Sequence, residues 1–406
     1  IRDIGVTGVQ TCALPIFAIA RELYLSDTGF DTTFGLHAAR IASQVRVCSE
    51  ADIPPLAASF GPAEIDKAIL DALLRGLDLD VFQGLAANVA GIDNRLMPDL
   101  ADSAITQFLA ATAPKPRIAI RHTVGLDDAL EGRDGLAAVI RDQAVRYLKL
   151  KLGGDTDVDA ARLGQIAATI EAAVNSGIPI DGISLDANEQ YADLAALSNL
   201  LDRLDRDPAL APIANRLIYI EQPMPRDAML TSALGSLARY AMIIDEADGS
   251  YDAFRAAKDL GYRGVSSKAC KGLYKSILNA ARAATWSSDN QSFLITAEDL
   301  TCQAGLGVQQ DIALGALIGV GHAERNGHHY VEGFGGAPMA EQERFLAAHP
   351  DLYVRTSDGI RLAAADGSLA TSSLVTPGFA SRVHPDWSAL QPLQSTTRRI
   401  PQEQFS

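Results

Sequence analysis

From Arg117 to Glu324 one unit recurs eight times: a short apolar run followed by an amphipathic stretch. The runs are RIAIRHT, YLKLKL, GISLDAN, RLIYIEQP, AMIIDEA, GVSSKAC, SFLITAE and VGHAE, separated by segments such as DVDAARLGQIAATIEAAV and SYDAFRAAKDL. Runs this short fit strands buried on both faces, and the segments between them carry the helical period. Parallel strands need such crossovers, so the alternation predicts a β/α barrel of the (β/α)7β type. An open doubly wound sheet is the weaker reading, because no Gly-rich phosphate loop follows the first strand.

The flanks read differently. Residues 17–115 are helical in pattern, as in PAEIDKAILDALLRGLDLDVFQGL, and the Pro-rich ATAPKPR marks a boundary. The barrel is assigned to 116–335. Beyond it, 336–406 lose the rhythm and are expected to pack over the barrel mouth or onto the N-terminal helices. The opening IRDIGVTGVQTCALPIF shows neither period, and VTGVQTCALPI resembles the conceptual translation of a sequencing-library adapter. Ile1–Ile16 are therefore expected to be foreign to the fold.

Charge and cysteine content exclude several functions. Fifty acidic against 35 basic residues give a net charge of −15, which disfavours nucleic acid and anionic membranes as partners. No apolar run approaches the length of a membrane span. Outside the opening segment Cys48, Cys270 and Cys302 are widely spaced, without the CxxC pattern of a zinc site. A reducing, cytoplasmic setting is expected.

Charge concentrates where the strands end. YLKLKL carries Lys149 and Lys151, ISLDAN ends with Asp186 and Asn188, and IYIEQP carries Glu221. MIIDEA brings Asp245 and Glu246, VSSKAC brings Lys268, and LITAED brings Glu298. In a β/α barrel these C-terminal ends converge on one mouth. Lys149 and Lys151 share a face because strand side chains alternate. Asp186, Glu221 and Asp245 on consecutive strands would repel one another, and a hard divalent cation with oxygen ligands, typically Mg²⁺, removes that cost. Asp245 is preferred over its neighbour Glu246 as the third ligand.

The order KLK, LDAN, IEQP, DE and SSK resembles the enolase superfamily, in the branch of muconate-lactonising enzymes and mandelate racemase. The resemblance covers roughly Arg117 to Gly333. It implies a barrel with an α+β capping domain and one Mg²⁺ per subunit held by Asp186, Glu221 and Asp245. It also implies a small-molecule carboxylate substrate, lysines on both sides of it, and a homo-oligomer. Lys151 is then expected to be the base, Lys149 to lower its pKa and contact the substrate carboxylate, and Lys268 to act from the opposite side. Lys271 reads as a loop residue. The family's His–Asp dyad is absent, since Glu298 and Asp299 stand in LITAEDL; Glu298 is expected to orient Lys268 or bind substrate. AERNGHHY places Glu324, Arg325 and His328 near the mouth, with Arg325 suited to an anionic group. The antiparallel strands that open the family's capping domain are not legible here.

The implied chemistry is removal of a proton α to a carboxylate through an enediolate, as in racemases, epimerases, cycloisomerases and β-eliminating enzymes. An acid-sugar dehydratase using a histidine of the HH segment is the alternative within the fold. A Schiff-base aldolase with Lys268 as nucleophile and a non-catalytic scaffold are the readings outside it.

Overall fold

The structure, a computed structural model, describes residues 5–26, 29, 31–133, 135–298, 303–325, 333–357 and 359–390, with 5–13 described as backbone. The eight expected strands are β1 (Arg117–Val124), β2 (Tyr147–Lys151), β3 (Gly182–Asp186), β4 (Leu217–Glu221), β5 (Met242–Ile244), β6 (Gly264–Ser267), β7 (Leu294–Ala297) and β8 (His322–Glu324). Each pairs with the next, all in parallel, and β8 returns to β1 with Arg121 opposite Glu324. The sheet is therefore a closed barrel, and β2 and β6 stand on opposite sides of it.

Local chemistry explains the crossovers. The Asp155 side chain accepts from the backbone N–H groups of Asp157 and Val158, starting helix Thr156–Asn175. Asp193 does the same for Leu194–Arg206 through Ala196, and that helix buries Leu197, Leu200, Leu201 and Leu204 on one face. Register then sets the site. Lys151 lies opposite Asp186, and Asp186 opposite Glu221, so the three side chains leave their strands at one level and on one face.

The N-terminal region is helical, as its pattern predicts, and among the described residues no strand precedes β1. The first helix, however, runs Gly5–Leu25 and crosses the boundary drawn at Ile16. Ile16 is buried with Ile19, Val47, Cys48, Ile53 and Ala58, and its carbonyl accepts from Gln44 Nε2 at 3.2 Å. A Cβ built on Gly61 would lie 2.7 Å from that carbonyl, so the two helices touch through a glycine. The missing period is explained by Pro15 and the four Gly/Thr positions in GVTGVQT, which depress helix propensity until packing overrides it. Among the described residues no helix is long and apolar enough to cross a membrane.

The C-terminal segment forms helix Met339–Ala348, the hairpin β9 (Tyr353–Thr356) and β10 (Gly359–Leu362), and β11 (Ser368–Ala370). β11 pairs antiparallel with Arg117–Ala119, at the start of β1, so it covers the barrel floor rather than the mouth. The chain then reaches the N-terminal helices, where Phe379 N donates to Asp71 and Arg75 donates to the Ser381 carbonyl.

The packing of Ile16 makes a prediction opposite to a silent deletion. Ile16→Ala is expected to lower the unfolding free energy by about 2–4 kcal/mol in urea titrations, the range for a buried isoleucine truncation. An unchanged midpoint would show that the segment does not pack in solution.

Candidate active site

The strand ends form two layers. In the deeper layer the Lys149 ammonium, almost wholly buried, lies 2.7 Å from Glu298, 2.8 Å from Glu221, 3.0 Å from Asp186 and 3.2 Å from Glu324. Arg121 on β1 adds a second buried cation, donating to Glu298 Oε1 at 2.6 Å. Its other side lies 2.7 Å from His322, whose ring stacks on Tyr147. Thr123 and Thr296 hydroxyls donate to Glu324 and Glu298.

The upper layer faces the mouth. Lys151 donates to Asp186 Oδ2 and Asn188 Oδ1, both at 2.5 Å, and its side chain is 25% exposed against 3% for Lys149. Asn188 in turn donates to Glu246. Across the barrel Lys268 lies 2.6 Å from Asp245 Oδ2 and is 21% exposed. Asp245 is also held by Ser266 at 2.5 Å and by Lys271 at 2.8 Å. Gln222, the Q of IEQP, sits at φ +37° and accepts from the Asp245 and Ala247 N–H groups at 2.8 and 3.1 Å.

Electrostatics follow this layering. Burial works against the Lys149 charge, but Asp186, Glu221, Glu298 and Glu324 outweigh it and hold the pKa well above the ordinary lysine value. Lys268 is likewise held protonated, against burial, by Asp245 and Glu246. Burial also works against Asp245 and Glu298, yet Lys268 and Lys271 hold the former, and Arg121 and Lys149 the latter, well below the usual range. Glu221 is the exception. Burial, reinforced by Glu298, Asp186 and Asp245, pushes its carboxyl well above the usual range despite Lys149.

Several expectations are relocated. Arg325 is buried and pairs with Asp311 at 2.7 Å, with further bonds to the Glu298 and Glu324 carbonyls, so it braces the wall rather than facing the mouth. Glu298 engages Lys149 and Arg121 instead of Lys268. Lys149 lies below the mouth, where carboxylates of the protein occupy its hydrogen-bonding directions. Lys271 is not a loop residue but a buried partner of Asp245. His328 and Asp299 fall outside the described residues. Arg121 and Gln222 went unassigned from the sequence; the signal for Arg121 was a charge in the middle of the apolar run RIAIRHT.

Do these residues suit a hard cation? Among the described residues no three of these groups form a ready-made ligand cluster, because ammonium groups stand between the carboxylates. The donor set nevertheless fits. Asp186, Glu221 and Asp245 offer only oxygen, and in the fully buried Glu221 Oε1 has no hydrogen-bond partner while Oε2 meets the Lys149 ammonium at 2.8 Å. Lys149 retains Glu298 and Glu324 if Asp186 and Glu221 turn to a cation.

The fold recurs in solved structures at low sequence identity. An isomerase from Streptomyces coelicolor A3(2) is 15% identical, covering 91% of this chain and 83% of its own, with a TM-score of 0.59. A dipeptide epimerase from Enterococcus faecalis V583, complexed with Mg and the dipeptide L-Leu-L-Tyr, is 16% identical over 85% and 78%, with a TM-score of 0.53. A mandelate racemase/muconate lactonizing protein from Paracoccus denitrificans Pd1222 gives 15%, 84%, 77% and 0.53 in the same measures. No protein-family model and no curated protein matches the chain. The barrel and its flanking helices are thus those of the mandelate racemase and muconate-lactonizing fold.

Glu221 sets a pH dependence. Its raised pKa means the folded state binds the proton more tightly, so its favourable contribution is present at low pH and lost as pH rises. His322, pulled by burial and Arg121 to about 3, is neutral in both states above the ordinary 6.5. Metal-free wild type is therefore expected to lose stability relative to Glu221→Gln as pH rises from the ordinary carboxylate value of 4.5 towards neutrality, by up to about 1.4 kcal/mol per pH unit. Urea titrations across that range check it; a constant difference between the two proteins would refute the assignment.

Proposed function

We propose that this chain is a divalent-cation-dependent isomerase or lyase of the enolase superfamily, removing the α-proton of a small carboxylate substrate. The observation that carries the reading is the pair of part-exposed lysines, Lys151 on β2 and Lys268 after β6, on opposite sides of the barrel. Between them β3, β4 and β5 present Asp186, Glu221 and Asp245. Racemase, epimerase and muconate-lactonizing proteins among the fold neighbours support the class of reaction, and Mg in some of them supports the cation.

Asp186, Glu221 and Asp245 would hold Mg²⁺. When bound, it supplies the positive charge that makes a second negative charge on a carboxylate substrate tolerable. The chain's own residues do the rest. As the neutral amine, Lys151 reaches the α-carbon from one face and takes the proton, becoming the ammonium that Asp186 and Asn188 hold. Lys268, kept protonated by Asp245 and Glu246, delivers a proton from the other face. Return to the same face restores the substrate and delivery from the opposite face inverts it. If a leaving group sits β to the carboxylate, the same electron pair expels it, and one lysine suffices. Lys149 holds the floor of the site rigid and cationic beneath both.

Two measurements test this reading. Mg²⁺ is expected to raise the melting temperature of the wild type through binding linkage and to leave Glu221→Gln, correctly folded, unaffected. Equal stabilisation of both proteins would remove Glu221 from the ligand set. In D₂O with Mg²⁺ and a panel of chiral carboxylates, Lys151→Ala and Lys268→Ala are each expected to lose α-proton exchange by ~10³-fold for one stereoisomer. Exchange undiminished in both variants would place the chemistry elsewhere.

A further inference from the structure

The segment leaving β5, Asp245–Asp252, has almost no regular structure, yet it carries Asp245 and Glu246 into the site. Its backbone polar groups must find partners elsewhere. On the N–H side Gln222 takes Asp245 and Ala247. On the carbonyl side a row of cations answers at every third residue. Lys271 Nζ donates to Asp245 O at 2.9 Å, Lys275 Nζ to Asp248 O at 2.6 Å, and Arg282 Nη1 to Tyr251 O.

The three donors come from one stretch, the 3₁₀ turn Ala269–Lys271 and helix Leu273–Trp286. Within the helix Lys275 and Arg282 are seven residues apart and so return to within about 20° of one another on one face, while Lys271 precedes them across Gly272 at φ +102°. All three are buried, and each also carries a carboxylate. Lys271 pairs with Asp245 at 2.8 Å, Lys275 with Asp248 at 3.2 Å, and Arg282 Nε with Asp99 at 2.9 Å. Beyond the last rung, the Tyr251 hydroxyl lies 2.5 Å from His37, which pairs with Asp66 at 2.7 Å in the N-terminal helices.

We propose that Lys275 and Arg282 are positioning residues, which with Lys271 form a buried cationic ladder that fixes the path of this segment and so the direction in which Asp245 and Glu246 enter the site. A polar stripe on a helix ordinarily faces water; here it replaces the ladder hydrogen bonds that a strand would have supplied. The functional half of this inference rests on Asp245 being a cation ligand, whereas the ladder itself does not.

The test uses the full chain. Lys275→Met is expected to speed amide hydrogen exchange of residues 246–251 by tenfold or more in metal-free protein, with the barrel strands unchanged. It is also expected to raise the Mg²⁺ dissociation constant, measured calorimetrically, by about 10- to 100-fold, the range for groups that orient a ligand. Lys275→Arg should restore both to within about threefold. If the methionine variant does not fold, Lys275→Gln keeps a donor without the charge and should show a smaller acceleration in the same segment. Wild-type exchange of 246–251 in folded Lys275→Met or Lys275→Gln overturns the ladder, even if thermal stability falls. Wild-type protein that binds no Mg²⁺ overturns instead the metal assignment, so the two failures are read separately.

Discussion

The interaction on which the site depends is the burial of one ammonium, Lys149, among four carboxylates drawn from β3, β4, β7 and β8. None of those carboxylates could be buried charged and alone, since desolvation costs far more than any one contact returns. Lys149 and Arg121 are the cations beneath the mouth, and they face more negative charge than they neutralise. The deficit is expressed at Glu221 and Glu324, whose carboxyls are pushed above the usual range, and Oε1 of Glu221 has no hydrogen-bond partner. A barrel interior built this way accepts a further cation from solution more readily than it tolerates losing one of its own.

The barrel was legible in the sequence because its strands are buried on both faces and its helices on one, so the two periods alternate without ambiguity across Arg117–Glu324. The convergence of charge was legible for a related reason. A charged residue at the end of an apolar run lies at the C-terminal end of the barrel, where Lys151, Asp186, Glu221, Asp245 and Lys268 come together. What periodicity cannot give is depth. Lys149 and Lys151 share a face, yet two residues along a strand move a side chain about 6.6 Å. That step separates a buried counter-ion from a group that meets solvent, and it separates their roles.

The residues the sequence misassigned share a cause. Arg325 and Glu298 read as groups reaching for a ligand or for Lys268, and Lys271 as a loop residue, yet each is satisfied by a protein partner from another strand or helix. Pairings of Lys149 with Glu298 or Arg121 with Glu298 span well over a hundred residues and exist only once the barrel has closed. The first helix illustrates the same limit for packing: propensity argued against order before Ile16, while the close approach at Gly61 places that side chain in a core.

The separation into layers also bears on how one scaffold serves several reactions. Closure of eight strands puts β2 and β6 opposite each other, so Lys151 and Lys268 approach any bound molecule from two faces whatever that molecule is. The deep layer sets the electrostatic floor, and Asp186 and Asp245 hold the two lysines through ion pairs. Under the proposed reaction, a change of substrate would alter contacts at the mouth without disturbing the floor, and what lies β to the carboxylate would decide whether both lysines or only one exchanges protons. Reaction type would then be a property of the mouth and its ligand, whereas the capacity for α-proton transfer would follow from the strand register that aligns Lys151, Asp186 and Glu221.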